Sequence, residues 1–342
     1  MAVPADPPLI IGNLDAELSW ARARLGTHAQ LPAPVRTALA AAGAAMAVYA
    51  HNSPLWLPAA FDRSRFGPLL AGTGAEPFTG ALPAVQGALS WAQTDETSAT
   101  GALAAELNDR RTSLALESPL DATLDTPQPA LLESMAAFLE AMASWPHPHP
   151  WILKSPLSAS GRDRVKRSGA PEIDAETRAR RLFNRFKVMI LEPWLDRIED
   201  YGSTGTISEA GLGQVRSHRL EVSGNGVFRA VVLGAEVPAA VTEEAERIGD
   251  VLFARGYRGP FSIDAFRYRT PAGTALRGLC EINARHSFGH IAWAAVERFQ
   301  DQLPAGRYRL DLLRKSTPDP SATVLVGPSS VDSTAVQLSR WG

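Results

Sequence analysis

Asp264, Glu281, Asn283 and Arg285 are the residues whose types and spacing best suit a chemical task. Two carboxylates and a carboxamide oxygen make a hard, all-oxygen set. Such a set suits magnesium carrying a polyphosphate better than zinc, because thiolates are missing and substrate oxygens must complete the shell. Glu281, Asn283 and Arg285 recur at spacing two, so on a strand they share a face. The Arg285 guanidinium then offers a planar fork to a phosphate or carboxylate held by that metal. Singly, each charge reads as the solvated face of a surface hairpin. Grouped on one face beside Gly278, Leu279 and Cys280, they read as a site.

The elements that must position them follow directly. Ser262 to Tyr268 alternates, with Ile263, Ala265 and Arg267 on one face and Asp264, Phe266 and Tyr268 on the other. Thr270 to Gly273 supplies Pro and Gly for a reversal, and Ala275 to Arg285 returns as a second strand. By the same alternation Cys280 points away from Glu281, into the core. Lysine occurs only at 154, 166, 187 and 315, so each position invites a reason. Lys154 ends the apolar strand Trp151–Leu153 and precedes a loop of small residues. Backbone N–H groups of such a loop can approach phosphate oxygens, with hydroxyls at Ser158 and Ser160 as further donors. The lysine precedes the glycine, so this is not a Walker loop. Further on, a strand from Lys187 to Leu191 delivers Glu192, Pro193, Trp194 and Leu195.

Gly-Tyr-x-Gly-Pro (Gly256–Pro260), then Asp on a strand, then Glu-Ile-Asn-x-Arg resembles the metal-binding end of the ATP-grasp superfamily. That group includes D-alanine–D-alanine ligase, biotin carboxylase and many carboxylate–amine ligases. Lys154 with its Ser/Gly loop is similar to the family's lid over the β- and γ-phosphates. The resemblance implies an α/β (α+β) protein with the ATP-grasp fold: two α+β halves gripping ATP, preceded by a Rossmann-like N-terminal domain. The expected boundaries are 1–117 for that domain, 118–191 for the lid half, 192–315 for the metal and nucleotide half, and 316–342 for a tail. It also implies that Asp264, Glu281 and Asn283 hold Mg²⁺ on the phosphates of ATP, and that Arg285 steadies the acyl phosphate. Lys154 is expected on the α/β-phosphates, with Ser158, Ser160 and Gly161 in the lid. Glu192 and the Trp194–Leu195 backbone are expected at adenine, and Glu199 at the ribose hydroxyls. Trp194 itself reads first as a core anchor. The family commonly places another phosphate-binding basic residue a few dozen positions before the lid lysine. Thr112 to Leu153 holds no Lys or Arg, so either Arg110 or Arg111 takes that part or the contact is missing.

The implied activity is an ATP-dependent ligase that makes an acyl phosphate from a carboxylate and lets an amine displace phosphate, with ADP released. Its alternatives are a kinase or phosphotransferase on the same nucleotide site, and a non-catalytic nucleotide-binding protein. Small-molecule carboxylate and amine substrates are the expected partners, and a homodimer stays open.

Composition agrees with a soluble enzyme. At 342 residues the chain can support two or three domains. A formal net charge of −2 creates no field favouring nucleic acid or an acidic membrane. One cysteine excludes an internal disulfide framework. No stretch reaches spanning length, so a cytoplasmic protein is expected. The opening strand Pro8–Asn13 and the helix after it, with Leu14, Leu18, Ala21 and Leu25 on one stripe, lack GxGxxG, so no dinucleotide is implied. Residues 118–130 read as a linker, and Leu131–Trp145 as one amphipathic helix. His147 and His149, spaced by prolines, make a poor metal site for want of a third ligand. Gln214, Arg216 and His218 alternate along a strand, and His286 and His290 open a helix; both sets are candidates to face substrate.

Overall fold

The computed structural model describes residues 7–25, 31–82, 88–95, 98–146, 149–157, 163–314 and 316–341. The first third alternates short strands with helices. They are β1 (Ile10–Ile11), α1 (Ala16–Arg24), α2 (Ala33–Gly43), β2 (Pro54–Trp56), α3 (Pro68–Ala71), β3 (Glu76–Phe78), β4 (Leu89–Ser90), α4 (Ala99–Leu107) and α5 (Arg110–Leu116). The four strands pair in parallel in the order β3-β2-β1-β4. Ile10 and Leu55 are wholly buried, as strands covered on both faces require. A Cβ on Gly43 would lie 2.6 Å from the Gly12 carbonyl oxygen. Glycine at that point lets α2 run tight against the end of β1, which sets α2 at the rim of the cleft described below.

A second unit holds β5 (Ala130–Leu132), α6 (Met135–Ala143), β6 (Pro150–Lys154), β7 (Arg164–Ser168), α7 (Ile173–Phe186) and β8 (Met189–Pro193). Its antiparallel sheet runs β5-β8-β6-β7 and has its own core, in which Phe138 meets Trp151 edge-on at 5.5 Å. Leu131 and Leu132 were expected in the helix, yet they belong to β5. The Ser134 side chain accepts from the Ala137 N–H at 3.0 Å, and this cap starts α6 after the strand.

The third unit is the large antiparallel sheet. In chain order it contains β9 (Arg197–Ser208), β10 (Gly211–Leu212), β11 (Arg216–Val222), β12 (Phe228–Leu233), α8 (Ala239–Ala254), β13 (Gly259–Thr270), β14 (Gly273–Asn283), α9 (Phe288–Arg298), β15 (Arg307–Leu313), β16 (Thr323–Val326) and β17 (Ala335–Trp341). The strand order is β14-β13-β9-β11-β12-β15-β17-β16, with β10 on β9. Ile263 and Ile282 pack in the core with Ile248 and Leu252 of α8 and Ile291 of α9. Alternation therefore turns their neighbours Asp264 and Glu281 to the other face of the sheet.

The stretch expected as a tail carries two strands within residues 316–341. β16 and β17 extend the sheet beyond β15 and tie it to the first unit. The Gly67 N–H donates to the Leu325 carbonyl at 2.9 Å, and Arg65 donates to the carbonyls of Gly327 and Thr334 at 2.8 and 2.9 Å. The period-two apolar pairs Val324/Val326 and Val336/Leu338 are short and sit among Ser, Thr and Pro, which hid them. Among the described residues no helix is long and apolar enough to cross a membrane.

Candidate active site

The three units meet around a cleft of about 700 Å³. On one wall Asp264 of β13 stands directly opposite Glu281 of β14, and Ser262 opposite Asn283. Burial, with the Glu281 charge beside it, pushes the Asp264 carboxyl up to about 7. A cation is the natural remedy for two facing carboxylates. Among the described residues no group of three His, Cys, Asp or Glu could hold a metal alone, so ligand oxygens must share the task. The donor set still fits a hard divalent ion.

Two arginines attend this pair. Arg110, at the start of α5, donates to Glu281 at 2.9 Å and to the Ser155 carbonyl at 3.1 Å. Arg111 instead turns outward onto Asp109, at 3.0 and 2.7 Å. Of the two sequence candidates for an extra phosphate contact, only Arg110 lines the cleft. Arg285 lies just beyond β14 and donates to the Asn283 side-chain oxygen at 2.8 Å. Its Nε also donates to Glu17 of α1 at 2.8 Å, so the first unit fixes the direction of its fork.

Cys280 was expected in the core. It is only partly buried and lines the cleft, because the β13–β14 register shifts: Asp264 pairs with Glu281, whereas Phe266 pairs with Arg277. The irregularity places two extra residues on β14, and strict alternation fails across it. Burial pushes the thiol above its ordinary range.

At the other wall Lys154 ends β6 with its Nζ 2.8 Å from Glu192. The second Glu192 oxygen accepts from Arg277 at 3.0 Å, and Arg277 grips Glu117 with bonds of 2.5 and 2.8 Å. Burial opposes the Glu192 charge, but Arg277 and Lys154 overrule it and hold the carboxyl well below its usual range. Burial pushes Glu117 up despite the Arg277 fork. Glu192 was expected at adenine. With both oxygens engaged, its visible work is to orient Lys154.

The neighbouring hinge differs in detail from the sequence expectation. Trp194 is not a core anchor: it is half-buried, lines the cleft, and carries the Lys166 Nζ 3.7 Å from its ring centre. Its backbone N–H donates to the Pro150 carbonyl at 2.9 Å. Leu195 is buried with Phe266 and Tyr268. Glu199, expected at the ribose, accepts from the Tyr201 hydroxyl and from Arg267, each at 2.7 Å, and does not line the cleft. The alternate position Asp200 does, together with Arg197, which donates to it at 2.8 Å. One step along a strand reverses the face. Ser158, Ser160 and Gly161 lie outside the described residues. Beside them, Arg164 of β7 donates to the Asn225 carbonyl at the tip of the β11–β12 hairpin, and Lys166 to that of Gly224 at 3.5 Å.

Of the histidines, His218 lines the cleft, wedged where a Cβ on Gly202 or Gly289 would meet its ring at 2.6 and 2.4 Å. Arg216 turns away to Glu297. His286 and His290 bond to the Ser90 and Gly205 carbonyls at 2.8 and 3.2 Å and do not line the cleft. Burial lowers both His218 and His286 to about 4. Between that value and 6.5 the unfolded chain binds more protons than the folded one, so stability rises with pH across that window. Urea unfolding is expected to lose about 2 kcal/mol on going from about pH 6.5 to 5.5 through these two groups. An unchanged midpoint over that interval would contradict their neutral burial.

No family model and no curated protein matches this sequence. Solved structures do. N5-carboxyaminoimidazole ribonucleotide synthetase of Thermus thermophilus superposes with a TM-score of 0.56 at 14% identity, over 97% of this chain and 93% of that one. N5-carboxyaminoimidazole synthetase of Staphylococcus aureus, complexed with ADP, gives 0.55 at 12%, over 97% and 92%. Phosphoribosylamine–glycine ligase of Thermotoga maritima gives 0.51 at 11%, over 97% and 89%. At such identities the likeness establishes a fold and leaves the reaction to the residues.

Proposed function

Because the chain carries the ATP-grasp fold, we propose that it is an ATP-dependent ligase that activates a carboxylate as an acyl phosphate and transfers the acyl group to an amine. The observation that carries this reading is the meeting in one cleft of Asp264, Glu281, Asn283 and Arg285 with Lys154 and Arg110. ATP would lie between the lid sheet and the large sheet, its adenine by Trp194 and the Trp194–Leu195 backbone and its ribose by Asp200. Lys154 and Arg110 would meet the phosphates, with Ser155 beside them. Asp264, Glu281 and Asn283 would hold Mg²⁺, which when bound offsets charge on the transferred phosphoryl group. Arg285, held by Glu17, Asn283 and the His286 carbonyl, would turn its remaining N–H toward the acid and the γ-phosphate. A carboxylate oxygen attacks the γ-phosphorus and ADP leaves. The amine nitrogen then attacks the acyl carbon, expels phosphate and gives up a proton. Alignment and charge neutralisation do most of this work, since the protein forms no bond itself.

Thermal unfolding with and without MgATP tests the reading. Ligand at a hundred times its dissociation constant adds about 2.7 kcal/mol, and large domains gain roughly 2–4 °C per kcal/mol. The shift is expected in the wild type and absent in Glu281→Gln/Asn283→Ala. No shift in the wild type at millimolar MgATP would end the ligase reading.

A further inference from the structure

Beyond Arg285 the cleft changes character. On its N-terminal side Val35, Ala38, Leu39 and Ala42 line it from α2, and Leu14 and Leu18 line it around the start of α1. These positions recur at helical spacings of three and four, the pattern that normally faces a core. Here Val35, Leu39, Leu14 and Leu18 are only half-buried, because the cavity lies where a core would. Across from them Leu220 and Val222 of β11, Phe228 of β12 and Leu312 of β15 also line it. A ladder of rings leads there from the metal end. The Arg285 guanidinium lies 5.7 Å from the Trp91 ring centre, Trp91 meets Phe288 edge-on at 5.5 Å, and Phe288 stacks on Phe228 at 5.4 Å.

A substrate in this half of the cleft has a polar end, at Arg285, and mainly alkyl or aromatic neighbours along the rest, with His218, Ser287 and Thr334 as scattered polar groups among them. A sugar phosphate would set hydroxyls and charge against those groups with little to bond them, a costly burial. An apolar body would instead displace water from them. Arg314, at the rim, is the cationic side chain on that side of the described lining, and it already has an interaction partner.

We propose that the acid activated by this protein carries an apolar body, aliphatic or aromatic, with its carboxylate at Arg285 and its body between the α1–α2 stripe and the Phe288–Phe228 stack. The proposal rests on the ligase reading. The acid is the substrate that must abut the transferred phosphate, and the apolar lining begins where its carboxylate ends.

Hydroxylamine tests this without knowledge of the natural amine. The acid oxygen takes the γ-phosphoryl group from MgATP, ADP leaves, and hydroxylamine nitrogen displaces phosphate to give a hydroxamate. 4-Methylpentanoate and 3-phenylpropanoate are compared with glycerate, glutarate and 3-phosphoglycerate. The same acids are also tested for thermal stabilisation in the presence of magnesium and a non-hydrolysable ATP analogue. The apolar acids are expected to react or bind about 10²-fold better than the polar ones, and loss of one methylene to cost tenfold or more. Leu39→Asp should abolish that preference and keep the nucleotide shift. Preference for glutarate or phosphoglycerate, an unaltered Leu39→Asp, or nucleotide binding with no response to any acid overturns the proposal while the nucleotide site stands. Absence of a nucleotide shift is a different failure, that of the ligase reading itself.

Discussion

Arg285→Ala is expected to lower kcat/KM for hydroxamate formation about 10²–10³-fold, the usual cost of removing one donor aimed at developing charge. The magnitude follows from how firmly that donor is set. Glu17 accepts from Nε, Asn283 from one terminal nitrogen and the His286 carbonyl from the other, at 2.8, 2.8 and 3.0 Å. A fork held on three sides has little freedom to lose when the phosphoryl group moves. The MgATP-dependent thermal shift should survive, because Asp264 and Glu281, the carboxylates proposed to hold the metal, are untouched. Arg285→Lys should recover only part of the rate, since an ammonium is a point charge without the planar pair of donors. A variant whose loss lies wholly in nucleotide affinity would move Arg285 out of the reaction and into ATP binding.

Glu192→Ala is expected to cost about 3–5 kcal/mol of stability, the usual result of deleting one member of a buried ion network. The carboxylate is 4% exposed and stands between Lys154 and Arg277, so its loss leaves two cations facing each other. Lys154 would also lose its direction toward the cleft, so activity should fall in the molecules that remain folded. Urea unfolding of Glu192→Ala, Lys154→Met and the double variant separates the two effects, because the pairwise term appears as non-additivity. Additive costs would show that the pair contributes nothing of its own. The pH sign is fixed by the depressed carboxyl: its stabilisation is complete above the ordinary value of 4.5 and is lost as pH falls further. Glu192→Gln should therefore show a shallower acid limb than the wild type.

Local spacing made the centre of the site legible. Asp264, Glu281, Asn283 and Arg285 belong to one hairpin, so period-two alternation and a turn were enough to bring them together. Lys154 was legible for a similar reason, as the end of an apolar strand before a loop of small residues. Contacts made across the chain were not. Glu17 reaches Arg285 over 268 positions and Glu117 reaches Arg277 over 160. No periodicity encodes such partners. The assignments of Cys280 and Glu199 failed for a subtler reason. Each depended on which face of a strand a residue takes, and one register irregularity or one residue of offset reverses that answer. The closing strands β16 and β17 were lost because four to seven residues give little periodicity to read. The apolar half of the cleft was not legible: a helical stripe at Leu14 and Leu18 looks the same whether it faces a core or a cavity.

The lid flank holds the β11–β12 hairpin through main-chain oxygens. Arg164 and Lys166 bond to the carbonyls of Asn225 and Gly224, atoms that every residue possesses. The same hairpin also presents Leu220, Val222 and Phe228 to the cavity. Heredity can therefore act on the two separately. On the proposed reading, substitutions at 220, 222 or 228 would redraw the range of acids accepted while these main-chain bonds pass on unaltered.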